Sequence, residues 1–388
     1  MDLRVVLGSD GASERSATRA TGGTIAGKRS VHGSDLNVEP GSPGLDPPDM
    51  AWVAGLEDRV LQAIEEAAHG RPPTSWTASL VSFRQDVWVV RASAQVQSET
   101  RRGSRLELRL RRDEPSLGWT TLDVALHPND PQLLRRRFDA AFDRLETRSK
   151  RLGAIDPGTC AAVFAPGTAG VVVHELIGHA LEGDVVSEAR TWLHGTSVLR
   201  CRREVSVIDD PRRGRGAWSL DDEGTPTGAA VLIERNRVVG GLHDRLSARR
   251  LGVAPTGHGR RASYLDSILP RMGCTYVGAG VDDPAEILRS TEGGVFIRRL
   301  IAGHTDPASG RASFTVTDAD RIVGGRCAEP IGTFILELNA RDAWHAIDRV
   351  AHDLTFDTCI GSCVRDGQPL AVSVGAPTIR IGLVTVCS

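Results

Sequence analysis

Three things are scarce in this 388-residue chain: net charge, long apolar runs and a paired cysteine framework. Its 47 Lys and Arg face 49 Asp and Glu, and a formal net charge of -2 provides no electrostatic argument for nucleic acid or an anionic membrane as partner. The Arg-Arg pairs read as solvated surface. No run of 18 apolar residues occurs, which excludes a membrane-spanning helix, and the N-terminus lacks the charged and then apolar segments of a secretory signal. The seven cysteines, at 160, 201, 274, 327, 359, 363 and 387, are odd in number and scattered. They read as reduced thiols of a cytoplasmic protein, with one available as a metal ligand.

What is present is ordinary for a globular protein: 40% hydrophobic and 25% charged residues, enough for a core and roughly two domains. Residues 1–49 are rich in Gly, Ser, Thr, Pro and Asp and are read as disordered, or as a non-native extension upstream of Met50. Recovery of a Gly/Ser-rich N-terminal peptide from native material would refute the extension. Beyond Met50, Leu56, Val60, Leu61 and Ile64 recur at helical spacing. Segments 87–94 and 105–111 alternate apolar and polar residues as strands do, and Leu134, Phe138, Ala141, Phe142 and Leu145 define one face of a helix over 133–151.

Further on, a strand at 160–164 leads through Ala165-Pro166-Gly167 into a helical segment. Hairpins are predicted at 230–241, turning at Arg235-Asn236, and at 313–325, turning near Asp318-Ala319-Asp320. A helix is predicted near 337–353, with closing strands at 371–374 and 378–386. The fold class is α+β: an N-terminal antiparallel sheet with packed helices over 50–155, then a metal-binding helix and a β-rich C-terminal domain over 156–388.

The densest chemistry is His174-Glu175-Leu176-Ile177-Gly178-His179, set in an apolar helical stretch. Two imidazoles around a carboxylate suggest a zinc site with the glutamate as general base. The spacing is one residue longer than H-E-x-x-H. At about 100° per residue, positions five apart lie roughly 140° around a regular α-helix, too far for both rings to meet one ion. The helix is therefore expected to carry a π-bulge, and Gly178 lowers the steric cost of the distortion.

A hydrolytic zinc ion takes three protein ligands and leaves one position for water. His174 and His179 supply two. A third is sought in the Gly-rich segment Asp357-Thr358-Cys359-Ile360-Gly361-Ser362-Cys363-Val364-Arg365-Asp366-Gly367, read as a loop, where either cysteine has the chemistry of a zinc ligand and where both also fit as small buried residues.

Four blocks in one order then make the chain recognisable: HELIGHALEGD, Asp221-Asp222-Glu223-Gly224-Thr225-Pro226, Pro255-Thr256-Gly257-His258-Gly259-Arg260-Arg261-Ala262-Ser263-Tyr264, and Gly361 to Gln368 through Gly375-Ala376-Pro377-Thr378. Together they resemble the TldD/PmbA family of zinc metallopeptidases, specifically its TldD-type catalytic members, from about residue 150 onward. The resemblance implies zinc held by His174, His179 and Cys363, the cysteine that keeps the family's distance from the following Gly-Gln and Pro-Thr pairs, with Glu175 as general base. It further implies cleavage of unfolded or leader-type peptides inside a dimer, formed with a TldE/PmbA-like partner lacking the zinc motif or with itself.

Two departures from the family stand out. The N-terminal domain is short, and His258 occupies a position where an amide is usual. His258, Arg260 and Arg261 are candidate substrate-binding residues, set against a surface-loop role for the histidine and bridges from the arginines to Asp221 or Asp222. Two rival functions are a zinc enzyme of natural-product biosynthesis acting on a small non-peptide substrate, and a non-catalytic zinc-holding partner subunit. A structural zinc site closes with four ligands and has no use for Glu175.

Overall fold

The computed structural model describes residues 2–5, 13–19, 28–31, 56–72, 74–90, 96–114, 118–126, 131–357 and 361–387. Contacts divide the chain into two compact units, Met1–Val87 with Thr100–Arg151 and Trp88–Glu99 with Leu152–Ser388. Both mix helix and strand, as the α+β reading requires. No helix among the described residues is long and apolar enough to cross a membrane.

In the first unit, strands Ser13–Arg19, Ser75–Val90, Val96–Glu114 and Gly118–Leu126 form a sheet in that order. Leu106, Leu108 and Leu110 alternate along one strand and are buried. They share a core with Leu134, Phe138, Phe142 and Leu145 of helix Pro131–Lys150 and with Val60 and Ile64 of helix Leu56–Ala68. Within residues 1–49, expected to lack order, strands occur at Asp2–Val5, Ser13–Arg19 and Lys28–Val31. Ser13–Arg19 joins the sheet by backbone pairing with Ser75–Val90, which needs no apolar side chains. The remainder of 1–49 lies outside the described residues.

Among the described residues, the second unit holds two large sheets and two small two-stranded ones. In the larger, strands Gly293–Asp306, Gly158–Phe164, Ile379–Cys387, Phe334–Asn339 and Arg311–Val323 pair in that order, and the pairing of Arg311–Val323 with Gly293–Asp306 closes them into a ring. The six-stranded sheet runs Arg237–Val238, Ala230–Glu234, Val207–Asp209, Cys274–Val277, Ser373–Ala376 and Thr355–Asp357. A short helix, Ala169–Val173, lies between them, touching Cys274–Val277 and Ser373–Ala376 on one side and Gly293–Asp306 on the other. Gly170 permits that approach, since a Cβ there would stand 2.8 Å from the Gly375 nitrogen.

Two sequence expectations fail here for identifiable reasons. Arg311–Val323 is one unbroken strand, and its turn comes at Gly324-Gly325 rather than at Asp318-Ala319-Asp320. The acidic residues that read as turn formers are buried, and Asp320 accepts two bonds from Arg298, at 2.9 and 2.7 Å, inside the sheet. The helix expected near 337–353 shrinks to Ala340–Ala346, flanked by strands Phe334–Asn339 and Ile347–Val350. Buried side chains in Phe334–Asn339 recur every second residue, so sheet pairing prevails up to Asn339, which caps the helix by accepting from the Arg341 and Asp342 amides. The 230–241 hairpin turns at Arg235-Asn236 as expected, both with positive φ.

Candidate metal centre

The chain enters the centre along Gly158–Phe164, turns through Gly167 with φ 87°, and starts a helix whose five residues, Ala169–Val173, are all buried. Over His174–Gly178 the backbone becomes π-helical, and the His179 amide donates to the His174 carbonyl in an i→i+5 bond. That repeat brings residues five apart onto one side of the helix, as the HELIGH spacing demands. The two imidazoles stand 5.2 Å apart between centroids and nearly perpendicular, at 86°.

Two packing features fix the distorted turn. A Cβ on Gly178 would fall 1.9 Å from the Met272 sulfur, so only glycine lets the π turn lie against this buried methionine. Trp192 donates its indole N–H to the Leu176 carbonyl at 2.8 Å, giving the backbone a partner where the helical ladder changes pitch. A single 3-10 turn, His179–Leu181, follows, and Glu182 then breaks to extended backbone.

Cys363 arrives from the other end of the unit. The segment 357–367, expected as a loop, contains a strand, Ser362–Arg365, paired with Gln368–Ala371 around the positive-φ residues Asp366 and Gly367. The cysteine is buried, with its sulfur 3.5 Å from His179 Nε2. One donor atom from each of His174, His179 and Cys363 lies within 4.8 Å of the other two. Cys359 lies outside the described residues.

Around this cluster the charges are ordered. Glu175 Oε2 lies 3.8 Å from His179 Nε2 and accepts a 2.7 Å bond from the Thr305 hydroxyl. Glu182, almost fully buried, places Oε2 3.0 Å from His179 Nδ1. Burial by itself would lower the His179 pKa, but the Glu182 carboxylate and the Cys363 sulfur outweigh it and hold the imidazole well above its ordinary value. Burial likewise pushes the Cys363 thiol up, and the His179 and His174 rings overcome this and hold it well below the usual thiol range. The surroundings thus favour a thiolate, the form in which cysteine binds metal. His174 Nδ1 is buried without a hydrogen-bond partner, an orphaned polar atom of a kind that metal coordination accounts for.

The other three candidates are not members of this cluster. His258 is fully buried rather than exposed on a surface loop, with Nδ1 2.9 Å from Thr256 Oγ1 and Nε2 3.3 Å from Asp209 Oδ1. Arg260 is buried too, its Nε 3.3 Å from Asp222 and its guanidinium stacked 4.1 Å over the Trp218 ring. Arg261 is partly exposed and donates its amide to Asp222 at 2.7 Å. The two arginines tie the 255–264 loop to the 221–223 turn, where Asp221 accepts from the Gly259 amide at 3.1 Å, while His258 ties the same loop to Asp209.

Residues not singled out from the sequence complete the site: Thr305, Glu182 and Arg365. Glu182 follows His179 by three positions, and Arg365 follows Cys363 by two, spacings that place each beside its neighbour on a helical turn and a strand face respectively. Thr305 carries no such signal, being 130 residues from Glu175.

A model of the PmbA/TldA metallopeptidase C-terminal domain matches residues 157–388. The chain is 34% identical over 232 residues to a metalloprotease TldD homolog of Buchnera aphidicola, covering 59% of this chain and 48% of that protein. It is 33% identical over 252 residues to a metalloprotease of Methanothermobacter thermautotrophicus, covering 64% and 54%. A relative from Saccharolobus solfataricus, 28% identical over 231 residues and covering 58% and 50%, is named a zinc metalloprotease TldD homolog. The chain spans about half the length of the curated relatives it matches. Among solved structures, TldE from Thermococcus kodakarensis superposes with a TM-score of 0.69 at 16% identity, covering 86% of this chain and 74% of that one, a likeness of fold.

Proposed function

Because this chain belongs to the TldD/PmbA metallopeptidase family, we propose that it is a zinc peptidase in which His174, His179 and Cys363 hold the metal and Glu175 is the general base. The observation that carries this reading is the convergence of three zinc-type donors, from segments far apart in sequence, beside a carboxylate that is not one of them. Zinc bound there supplies a Lewis acid that lowers the pKa of a water and polarises an amide carbonyl.

The chain's own groups then have defined tasks. Thr305 anchors Glu175 through one carboxylate oxygen, and the second oxygen has the lone pairs to take a proton from the attacking water. That proton is then available to the departing amine. Glu182 holds the His179 ring by its Nδ1 side and leaves Nε2 turned toward Cys363.

The substrate is an extended or unfolded peptide, bound at strand edges by main-chain hydrogen bonds with little sequence preference. The active assembly is a dimer, with a TldE-like partner or with a second copy. Among the described residues Cys160, Cys201, Cys274, Cys363 and Cys387 form no disulfide, which supports placing the protein in the reducing cytoplasm.

Metal analysis paired with a peptide-cleavage assay tests the assignment. Wild type should carry one zinc per chain, Glu175→Gln should retain zinc while cleavage falls by about 10²–10⁴-fold, and Cys363→Ala should lose zinc. Full zinc occupancy in Cys363→Ala would remove the third ligand, and undiminished cleavage by Glu175→Gln would remove the base.

A further inference from the structure

Resting on that metal-centre reading, we propose that Arg365 and Glu182 form a positioning pair that couples the cysteine arm to the histidine helix, so that Cys363 and His179 are placed by one ion-paired unit. The contacts close on themselves. Cys363 Sγ lies 3.5 Å from His179 Nε2, and His179 Nδ1 lies 3.0 Å from Glu182 Oε2. The same Glu182 oxygen accepts from Arg365 Nη1 at 2.7 Å, and Arg365 is two residues from Cys363 on one strand.

Each link has a physical consequence. A carboxylate only accepts hydrogen bonds, so His179 donates from Nδ1, and Nε2, on the side where the sulfur lies, is the nitrogen left to give up its proton and bind a metal. Residues two apart on a strand point the same way, so the grip on Arg365 also sets the direction of Cys363. The strand's exposure alternates accordingly, with Ser362 and Val364 out and Cys363 buried. A slip of one residue against Gln368–Ala371 would turn Cys363 away from the histidines, and Arg365 opposes the slip because its partners stand on the helical side.

The guanidinium is suited to this in a way an ammonium is not. Arg365 reaches both oxygens of Asp184, at 3.1 Å from Nη1 to Oδ1 and with Nη2 on Oδ2, while Nη1 also serves Glu182. Three carboxylate oxygens are gripped by two nitrogens of a planar fork, a geometry that lysine lacks. Burying Glu182 and most of Arg365 incurs a desolvation cost that mere stability seldom justifies.

Cobalt(II) titration with chelator competition tests the pair, because a thiolate bound to cobalt gives a near-ultraviolet charge-transfer band that reports Cys363 directly. Wild type, Arg365→Lys, Glu182→Gln and the double variant are compared, with the melting temperature of each metal-free protein measured alongside. Both single variants should weaken cobalt binding by about 10- to 100-fold and diminish the band. The double variant should be little worse than the more severe single one, as coupled residues are, with metal-free melting temperatures close to wild type. Affinity and band unchanged in both single variants would overturn the pair, as would a loss of affinity matched by an equal loss of metal-free stability. A wild-type protein with no thiolate band would instead sink the metal-centre reading, a result distinguishable from either.

Discussion

His174 and His179 stand on a helix wedged between two sheets, whereas Cys363 stands on a two-stranded hairpin gripped by guanidinium groups. On the helix side every residue from Ala169 to His174 is buried, and van der Waals contact fixes the backbone. On the hairpin side, Arg271 donates to the carbonyls of Cys363, at 2.6 Å, and Gln368, at 3.1 Å, while Arg215 reaches the Gly361 carbonyl and Arg365 the acidic pair. Packing resists displacement in every direction. Charged hydrogen bonds resist it along a few and weaken if water enters. The helix is therefore expected to be preformed without metal, and the hairpin to need metal for its final order.

Removing the proposed zinc is the strongest way to break this contrast. Zinc at 1,000 times its Kd contributes about 4.1 kcal/mol, so chelation should lower the melting temperature markedly. Hydrogen exchange should rise at 362–371 with little change at 169–173. Equal deprotection of both segments would erase the distinction.

Gly178→Ala attacks the packed side and should destabilise even the metal-free protein by roughly 1–3 kcal/mol in thermal or urea unfolding, since buried Met272 has no solvent to withdraw into. A stable, zinc-replete alanine variant would mean that the π turn tolerates more than its packing suggests.

Thr305→Val removes the hydroxyl from Glu175, an interaction with a charged group worth about 1.5–3 kcal/mol, so kcat should fall by at least about tenfold at unchanged zinc content. Thr305→Ser should restore it. The smallest effect is expected at Val364, which faces solvent between the two inward residues of the hairpin. Val364→Thr should change stability by less than about 0.5 kcal/mol and leave zinc in place.

The same contrast decides what could be read from sequence. The helical half was legible because its chemistry is contiguous: HELIGH states its own spacing, and the spacing dictates the π turn found at His174–Gly178. Helix Pro131–Lys150 and the strand alternation at 105–111 were legible because one buried face imposes a period. Cys363 came from resemblance to the family, since spacing alone did not separate it from Cys359. Glu182 and Arg365 sat within recognised blocks, but their link to each other exists only in three dimensions. Thr305 left no trace, because its partner lies on another element. The misread turn at 318–320 shows the converse: Asp320 looks like a turn former until Arg298 is placed beside it.

The closed ring has a consequence for how the protein is made. Ile379–Cys387 is inserted between Gly158–Phe164 and Phe334–Asn339, so the strand that launches the histidine helix finds one of its neighbours only when the last of the ring strands leaves the ribosome. Until then the nascent chain holds an open edge beside a half-built centre, a long-range pairing that is slow to form and exposed to aggregation while it waits. The histidine side of the proposed metal centre is thereby set in its final frame only after residues 379–387 have been made and have paired with Gly158–Phe164.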